Sequence, residues 1–171
     1  MLITASNLIG KPIITAEEKE IVGNVFEIIV SPETGRVEAF LSKAMFQKPH
    51  VVSEQDVLDV GKTGVIINDA QALILPSEII KVNEIIKKKI KILNVQAVTK
   101  SKKKLGVVED FVIETDTAQV VKFYIKGGIF LPARILSSDN VIKIEKNRII
   151  FQDEVLEKLK PVSRSEESVA A

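Results

Sequence analysis

Apolar and polar residues alternate over short runs in this chain, which is the pattern of β-strands with two differently buried faces. Over residues 23–30, Phe26, Ile28 and Val30 fall on one face of the predicted strand, and the intervening residues fall on the other. A Pro- and Gly-containing stretch at 31–35 predicts a turn, and a second apolar run then returns. The pattern predicts a β-hairpin.

The same pattern occurs twice. Five positions recur 83 residues later: Gly23 as Gly106, Val25 as Val108, Val37 as Val120, Phe40 as Phe123 and Pro49 as Pro132. Flanking residues recur 84 positions later, among them Thr15 as Thr99 and Lys19 as Lys103. A change of spacing by one residue is expected in loops. The chain therefore contains two copies of one β unit.

A second predicted hairpin closes each copy, at residues 57–67 and 141–151. Several short strands with turns at regular intervals predict a small barrel or sandwich, since an open sheet of this size would expose its edges. Between the copies, apolar residues recur at helical spacing after Pro76. This predicts one helix over Glu78–Lys88 with Ser77 as its N-cap.

These elements divide the chain into four segments. The first domain is predicted over 1–69, a helical linker over 70–90, the second domain over 91–159 and a disordered tail over 160–171. Domains of about 70 residues are marginally stable alone. We therefore expect the two copies to pack on each other or on a partner.

Longer stretches of both copies resemble the PRC-barrel family. The stretches are Ser6–Ile13, Ile21–Val30 and Ser31–Val37 in copy one, and Leu105–Ile113 in copy two. Copy two departs from the pattern at Asn94, which stands where copy one has Gly10, and in the loss of the Pro-Glu-Thr-Gly turn. The resemblance implies a mainly β protein with two tandem six-stranded PRC-type β-barrels joined by the helical linker.

The PRC-barrel is shared by the cytoplasmic part of the photosynthetic reaction-centre H subunit and the C-terminal part of RimM-type ribosome maturation factors. The resemblance implies a binding and assembly module without shared catalytic residues. Neither of those two functions transfers directly, because we find no membrane anchor and because the first domain here is itself PRC-like.

The composition excludes several kinds of chemical site. The chain has no cysteine and a single histidine, His50, which exclude disulfides, thiolate catalysis and any site within one chain that needs two histidines. No apolar run approaches the length of a membrane-spanning helix, and Met1–Gly10 lacks the features of a signal peptide. We expect a cytoplasmic protein that is not an enzyme and has no cofactor, metal or catalytic residues.

Three weak motifs each have a structural alternative. Gly61-Lys62-Thr63 resembles the end of a phosphate-binding loop, but Asp56 replaces the required upstream glycine, so a hairpin turn is favoured. Gly127–Gly128 is typical of a turn or bulge. Carboxylates that could bind a hard cation occur as two groups: Glu109 with Asp110 and Asp116, and Asp56 with Asp59. Copy one has Glu27 and Glu33 at the places of Asp110 and Asp116, which favours a structural role.

Charge is what the two copies do not share. Residues 1–86 carry 7 Lys/Arg against 12 Asp/Glu, whereas residues 87–171 carry 17 against 11. Between residues 87 and 104 no acidic residue interrupts a series of lysines, namely Lys87, Lys88, Lys89, Lys91, Lys100, Lys102, Lys103 and Lys104. Copy one has Glu17, Glu18 and Glu20 in the corresponding region.

These eight lysines are the predicted binding site for an anionic partner. Nucleic acid, a ribosomal surface or anionic lipid would all suit them, although no arginine or aromatic residue is interleaved to read or stack on bases. A solvated surface is the alternative, and opposite charges could also pack the halves together or associate molecules head to tail. An enzymatic function has the least support, because no nucleophile and base occur at a recognisable spacing.

The predicted function is a non-enzymatic adaptor for protein or ribonucleoprotein assembly. The partner would bind in the groove between the barrels or at the lysine-rich edge of copy two. The alternative is peripheral association with an anionic membrane through that edge.

Overall fold

The computed structural model describes residues 1–44 and 47–159. The predicted tail 160–171 lies outside the described residues. The strands of the first half are β1 (Leu2–Thr4), β2 (Pro12–Thr15), β3 (Ile21–Val30), β4 (Val37–Ser42), β5 (His50–Ser53), β6 (Val57–Gly61) and β7 (Gly64–Ile67). Those of the second half are β8 (Gln96–Thr99), β9 (Lys104–Glu114), β10 (Gln119–Lys126), β11 (Arg134–Ser137), β12 (Val141–Glu145) and β13 (Arg148–Phe151). All four predicted hairpins are confirmed.

The two halves form sheets of the same topology. One has the strand order β5-β4-β3-β2-β7-β6, and the other has the order β11-β10-β9-β8-β13-β12. Strands β2 and β7 are parallel in the first sheet, and β8 and β13 are parallel in the second. The other neighbouring strands are antiparallel. Over the described residues the hydrogen-bonded path of each sheet does not close. The chain is mainly β, with two sheets of six and seven strands.

The seventh strand of the second sheet comes from the start of the chain. Strand β1 pairs with β9, with Leu2 opposite Glu114 and Thr4 opposite Val112. The short helix that follows, α1 (Ala5–Leu8), also contacts β9. Residues ahead of β2 are therefore part of the opposite sheet, and they tie the two halves together.

Residues shared by the two copies form the core. Phe40 and Phe123 are both buried, and so are the repeated valine pairs. Phe123 meets Phe151 edge to face, with ring centroids 5.6 Å apart. One cluster of buried apolar residues, running from Ile3 to Val155, extends through both halves. The expected packing of the copies on each other is confirmed.

The predicted faces of β3 are wrong at Phe26. The register between β3 and β4 shifts by one residue between Val25 and Glu27, which marks a β-bulge. The bulge reverses the alternation, so Val25 is buried with Ile28 and the Phe26 side chain is 52% exposed. The same shift occurs in the second sheet around Glu109.

Two pairings that marked the repeat are one residue out of register. Lys19, with φ of 54°, matches Lys102, with φ of 67°, rather than Lys103. Strands β5 and β11 are 84 residues apart, so Pro49 directly precedes its strand whereas Pro132 lies two residues before its own. By contrast, Gly10 and Asn94 are equivalent, because both have positive φ and both donate to the carbonyl before the bulge, Val25 O or Val108 O.

The linker contains helix α2 (Ile80–Lys87), two residues shorter at its start than predicted. Ser77 is not its N-cap, because Pro76–Glu78 form a 3-10 turn in which Glu78 accepts the Leu75 N–H at 2.7 Å. Further 3-10 segments in the described part of the chain are Glu54–Asp56, Ala70–Ala72, Ser138–Asn140 and Asp153–Leu159. Helix α2 packs Val82 and Ile85 on the outer face of the first sheet.

Over residues 1–44 and 47–159, no helix has the length and hydropathy to span a membrane.

The turns of the two long hairpins pair with each other. Val37 N–H donates to Ala118 O at 2.8 Å, and Val120 N–H donates to Gly35 O at 3.0 Å. Val37 is equivalent to Val120 and Gly35 to Ala118, so the two bonds are equivalent to each other. The two copies are therefore related by a local two-fold axis that passes between these turns.

Candidate functional site

The predicted lysine series divides into two groups. Lys87, Lys88, Lys89 and Lys91 lie at and after the end of α2, whereas Lys100, Lys102, Lys103 and Lys104 lie in the turn from β8 to β9. All eight are exposed. Strand β8, which is about 13 Å long, lies between the two groups along the chain. The structure thus places half of the predicted site on the linker and half at the end of the second sheet.

The linker group has one ion pair of its own. Lys91 Nζ lies 3.4 Å from Glu27 Oε2 on β3, across the junction of the two halves. The Lys91 side chain is 56% exposed, so water screens this pair and it contributes little to stability. Lys91 is thus engaged with the first sheet.

The basic turn, which we define as Lys100–Lys104, has a rigid scaffold. Buried Thr99 donates its N–H to Lys103 O at 2.9 Å, and its Oγ1 accepts the Lys103 N–H at 3.2 Å. The Lys100 N–H donates to Phe151 O at 2.9 Å. These bonds fix the backbone of the turn and direct its lysine side chains into solvent.

Asp153 supports the basic turn from the neighbouring segment. Its Oδ1 accepts the Ser101 hydroxyl at 2.7 Å and the Ser101 N–H at 3.0 Å. The Ser101 hydroxyl bond, followed by the backbone bond, lowers the pKa of Asp153 below its usual range. Asp153 is therefore ionised at neutral pH and holds the turn in place.

The first sheet has the same scaffold with opposite charge. Buried Thr15 accepts the Glu20 N–H at 3.1 Å and donates to Glu20 O at 2.9 Å. The exposed residues 16–20 include three glutamates and one lysine, whereas the equivalent residues 100–103 include three lysines. The turn in the second sheet is one residue shorter. Since both sheets fold on the same bonds, the difference in charge is not required by the fold.

A second feature lies where the two halves meet. A cavity of about 180 Å³, which we call the central groove, is lined by Ile9, Phe26, Ile28, Ile92, Leu93 and Phe111, with the Glu27–Lys91 pair beside them. Sequence reasoning predicted a groove between the copies but did not select Phe26, because the bulge that exposes it is not visible in the alternation. The groove offers apolar walls with one ion pair.

A third feature was missed. In the loop from β10 to β11, Ile129 and Phe130 are each 95% exposed. Next to the loop, Nε and Nη1 of Arg134 are buried and have no hydrogen-bond partner. Two apolar residues between a Gly-Gly pair and a Leu-Pro pair are a sequence signal that could have identified this loop.

The weak motifs have structural roles. Lys62 and Thr63 form the turn of the β6–β7 hairpin. The carboxylate of Asp110 accepts the Ser6 N–H at 3.0 Å and also contacts the Ser6 hydroxyl, which fixes α1 against β9. His50 begins β5, and its Nδ1 lies 2.9 Å from Lys48 O. Among the described residues, no group of three or more potential metal ligands comes together.

Comparison with known proteins supports the family resemblance for the first half. The family model described as the PRC-barrel domain matches residues 1–74 of this chain. No curated protein matches the chain. The matched region contains the first sheet, together with β1 and α1.

Proposed function

Because residues 1–74 belong to the PRC-barrel domain family, which indicates an adaptor-type role, we propose that this chain is a non-enzymatic cytoplasmic adaptor. We further propose that both sheets are PRC-type barrels. The second sheet has the strand order of the first, and in each copy a 3-10 segment joins the two strands that end the hydrogen-bonded path. Such a protein would assemble a protein or a ribonucleoprotein particle.

One observation carries this proposal. The two copies retain the same hydrogen bonds from a turn N–H to a buried threonine hydroxyl before their long hairpin but differ in the charge displayed there. Surface charge that folding does not require is available for selecting a partner. Clustered lysines raise the local concentration of an anionic partner and its rate of association. The partner of the basic turn would be an acidic protein surface or the phosphates of an RNA.

The central groove provides a second contact in the same proposal. Its volume of about 180 Å³ exceeds that of an apolar cavity of roughly 150 Å³ that accommodates benzene. The groove would therefore accept one aromatic or aliphatic side chain of a protein partner, and the Glu27–Lys91 pair would restrict its orientation. Exposed Phe26 would form the wall that the partner covers.

Affinity purification from a lysate of the native host tests the proposal. The wild-type chain would be compared with K102E/K103E/K104E, with F26S, and with a control, K11E/K48E/K62E, which changes the same amount of charge on exposed lysines of the first half. Bound proteins and RNA would be identified with and without ribonuclease. We expect the first variant to lose anionic partners and the control to keep them. Equal recovery by all four chains would refute the proposed contacts.

A second candidate function is peripheral attachment to an anionic membrane. It is favoured by the exposure of all four lysines of the basic turn together with the exposed Ile129 and Phe130. Sedimentation with vesicles tests it. Binding must increase with the fraction of anionic lipid and decrease with added salt. Binding that depends on neither the anionic lipid fraction nor the salt concentration would exclude this candidate.

A further inference from the structure

The loop from β10 to β11 presents a protruding apolar pair, Ile129 and Phe130, which we call the apolar tip. Both side chains are 95% exposed. The loop is tightly folded, because Leu131 N–H donates to Gly128 O at 3.1 Å and a side chain at Gly127 would overlap the Leu131 carbonyl. Leaving two large apolar side chains in water forgoes the free energy of their burial. The tip is therefore suited to being covered by a partner.

The apolar tip and the basic turn lie at the same end of the second sheet. Strand β9 begins at Lys104, next to the point where β10 ends at Lys126 and leads into the loop. Gly106 packs directly against the Lys126 carbonyl, which fixes the two chain segments side by side. Lys104 and Lys126 are both exposed. The tip thus projects from a surface rich in lysine.

Arg134 adds a further positive charge at this end. It begins β11 opposite Ile125, and its buried Nε and Nη1 meet no acceptor in the free protein. A buried guanidinium nitrogen without an acceptor is costly. These two nitrogens are closed to solvent, so what Arg134 offers an approaching bilayer is its positive charge.

We propose that this end of the second sheet docks on an anionic lipid bilayer, with the apolar tip inserted at the level of the headgroups and the basic turn on the lipid phosphates. A bilayer offers both a negative surface and an apolar layer beneath it, and it requires no shaped pocket. Single-stranded RNA fits less well, since Ile129 cannot stack on a base. This inference rests on the second candidate function above and specifies how the protein attaches.

Vesicle sedimentation tests the insertion. Vesicles of phosphatidylcholine alone, and with phosphatidylserine added, would be mixed with the wild-type chain, with I129S/F130S and with a control, L58S/I80S, which removes two exposed apolar side chains elsewhere. We expect the tip variant to bind anionic vesicles about tenfold more weakly and the control to bind as wild type does. K102E/K103E/K104E should bind about 100-fold more weakly.

A fluorescent reporter distinguishes insertion from surface attraction. The chain has no tryptophan, so F130W and the control I80W each contain a single indole. On anionic vesicles, we expect a blue shift in emission from F130W and none from I80W. Vesicle binding by the wild type without a shift in F130W would overturn the insertion while leaving membrane attachment intact. Failure of the wild type to bind any vesicle, or binding to RNA alone, would overturn both.

Discussion

Alanine at three glycines separates backbone strain from steric overlap in this fold. Gly106 has φ of 137°, and an added Cβ would lie 2.9 Å from the carbonyl carbon of Lys126 and closer still to its oxygen. Gly10 has φ of 87° with open space around it, and Gly128 has open space and no positive φ. The three positions thus combine strain with overlap, strain alone, and neither.

The expected losses in free energy of unfolding follow from these differences. Strain of this kind costs about 1–3 kcal/mol, and overpacking against an immovable neighbour costs about 1–3 kcal/mol more. Gly106→Ala should therefore lose about 4 kcal/mol, Gly10→Ala about 1 kcal/mol, and Gly128→Ala less than about 0.5 kcal/mol. A loss of about 4 kcal/mol is a large part of the stability of a typical domain.

Urea denaturation followed by far-ultraviolet circular dichroism measures these values. The order of the three variants is the decisive result, because it does not depend on the absolute scale. Two outcomes would contradict the reasoning: Gly106→Ala within about 0.5 kcal/mol of the wild type, or Gly128→Ala as unstable as Gly106→Ala. The first would mean that Lys126 does not pack against Gly106 as described, and the second would mean that the space around Gly128 is not open.

Three further predictions concern the core and the basic turn. Phe123→Ala should lower the free energy of unfolding by about 3–5 kcal/mol in urea denaturation, because it removes a buried ring and its edge contact with Phe151; a loss below about 1 kcal/mol would contradict this packing. Thr99→Val should cost about 1–3 kcal/mol, since the N–H that the hydroxyl accepts loses its partner, and Thr99→Ser, which keeps the hydroxyl, should retain the bond in amide hydrogen exchange. Asp153 has a lowered pKa in the folded state, so the stability that it contributes is present above its ordinary value of 3.8 and is lost as pH falls through the folded value. Asp153→Asn should thus reduce the urea midpoint at pH 7 and converge with the wild type under strongly acidic conditions; an equal difference at all pH values would refute the assignment.

Much of the fold follows from local pattern. The spacing of Phe40 and Phe123 identified two equivalent core positions, and turn residues located all four hairpins. These features depend on a few neighbouring residues and on period-2 burial, which a single sequence displays. The helix of the linker was also predicted, although its start was not, because Glu78 closes a 3-10 turn that precedes it.

Other features depend on distant contacts. The β-bulge that exposes Phe26 reverses the alternation without leaving a turn residue in the sequence. The one-residue difference between the turns after Thr15 and Thr99 could be seen only from their hydrogen bonds, and it displaced the predicted pairing of Lys19. The pairing of β1 with β9 joins residues more than 100 positions apart. No local pattern encodes these contacts.

Half of the lysines predicted as one site lie together in the structure. The lysines after Thr99 form one exposed turn, whereas those after α2 lie elsewhere, because a contiguous sequence is divided by the intervening strand. The apolar tip was overlooked because two apolar residues in a loop do not alter a periodic pattern. Its importance depends on exposure and on Lys104 and Lys126 beside it, which only the folded chain shows.

Because the turns of the two copies pair across a local two-fold axis, the molecule resembles a symmetric dimer whose two subunits belong to one polypeptide. In a dimer of identical subunits, every substitution appears at both ends, so both ends must carry the same charge. In this chain the two copies are separate parts of one sequence, so a substitution changes only one end. The architecture keeps the stability of a nearly symmetric interface while its two ends evolve independently, so the proposed adaptor would bind unlike partners at its two ends.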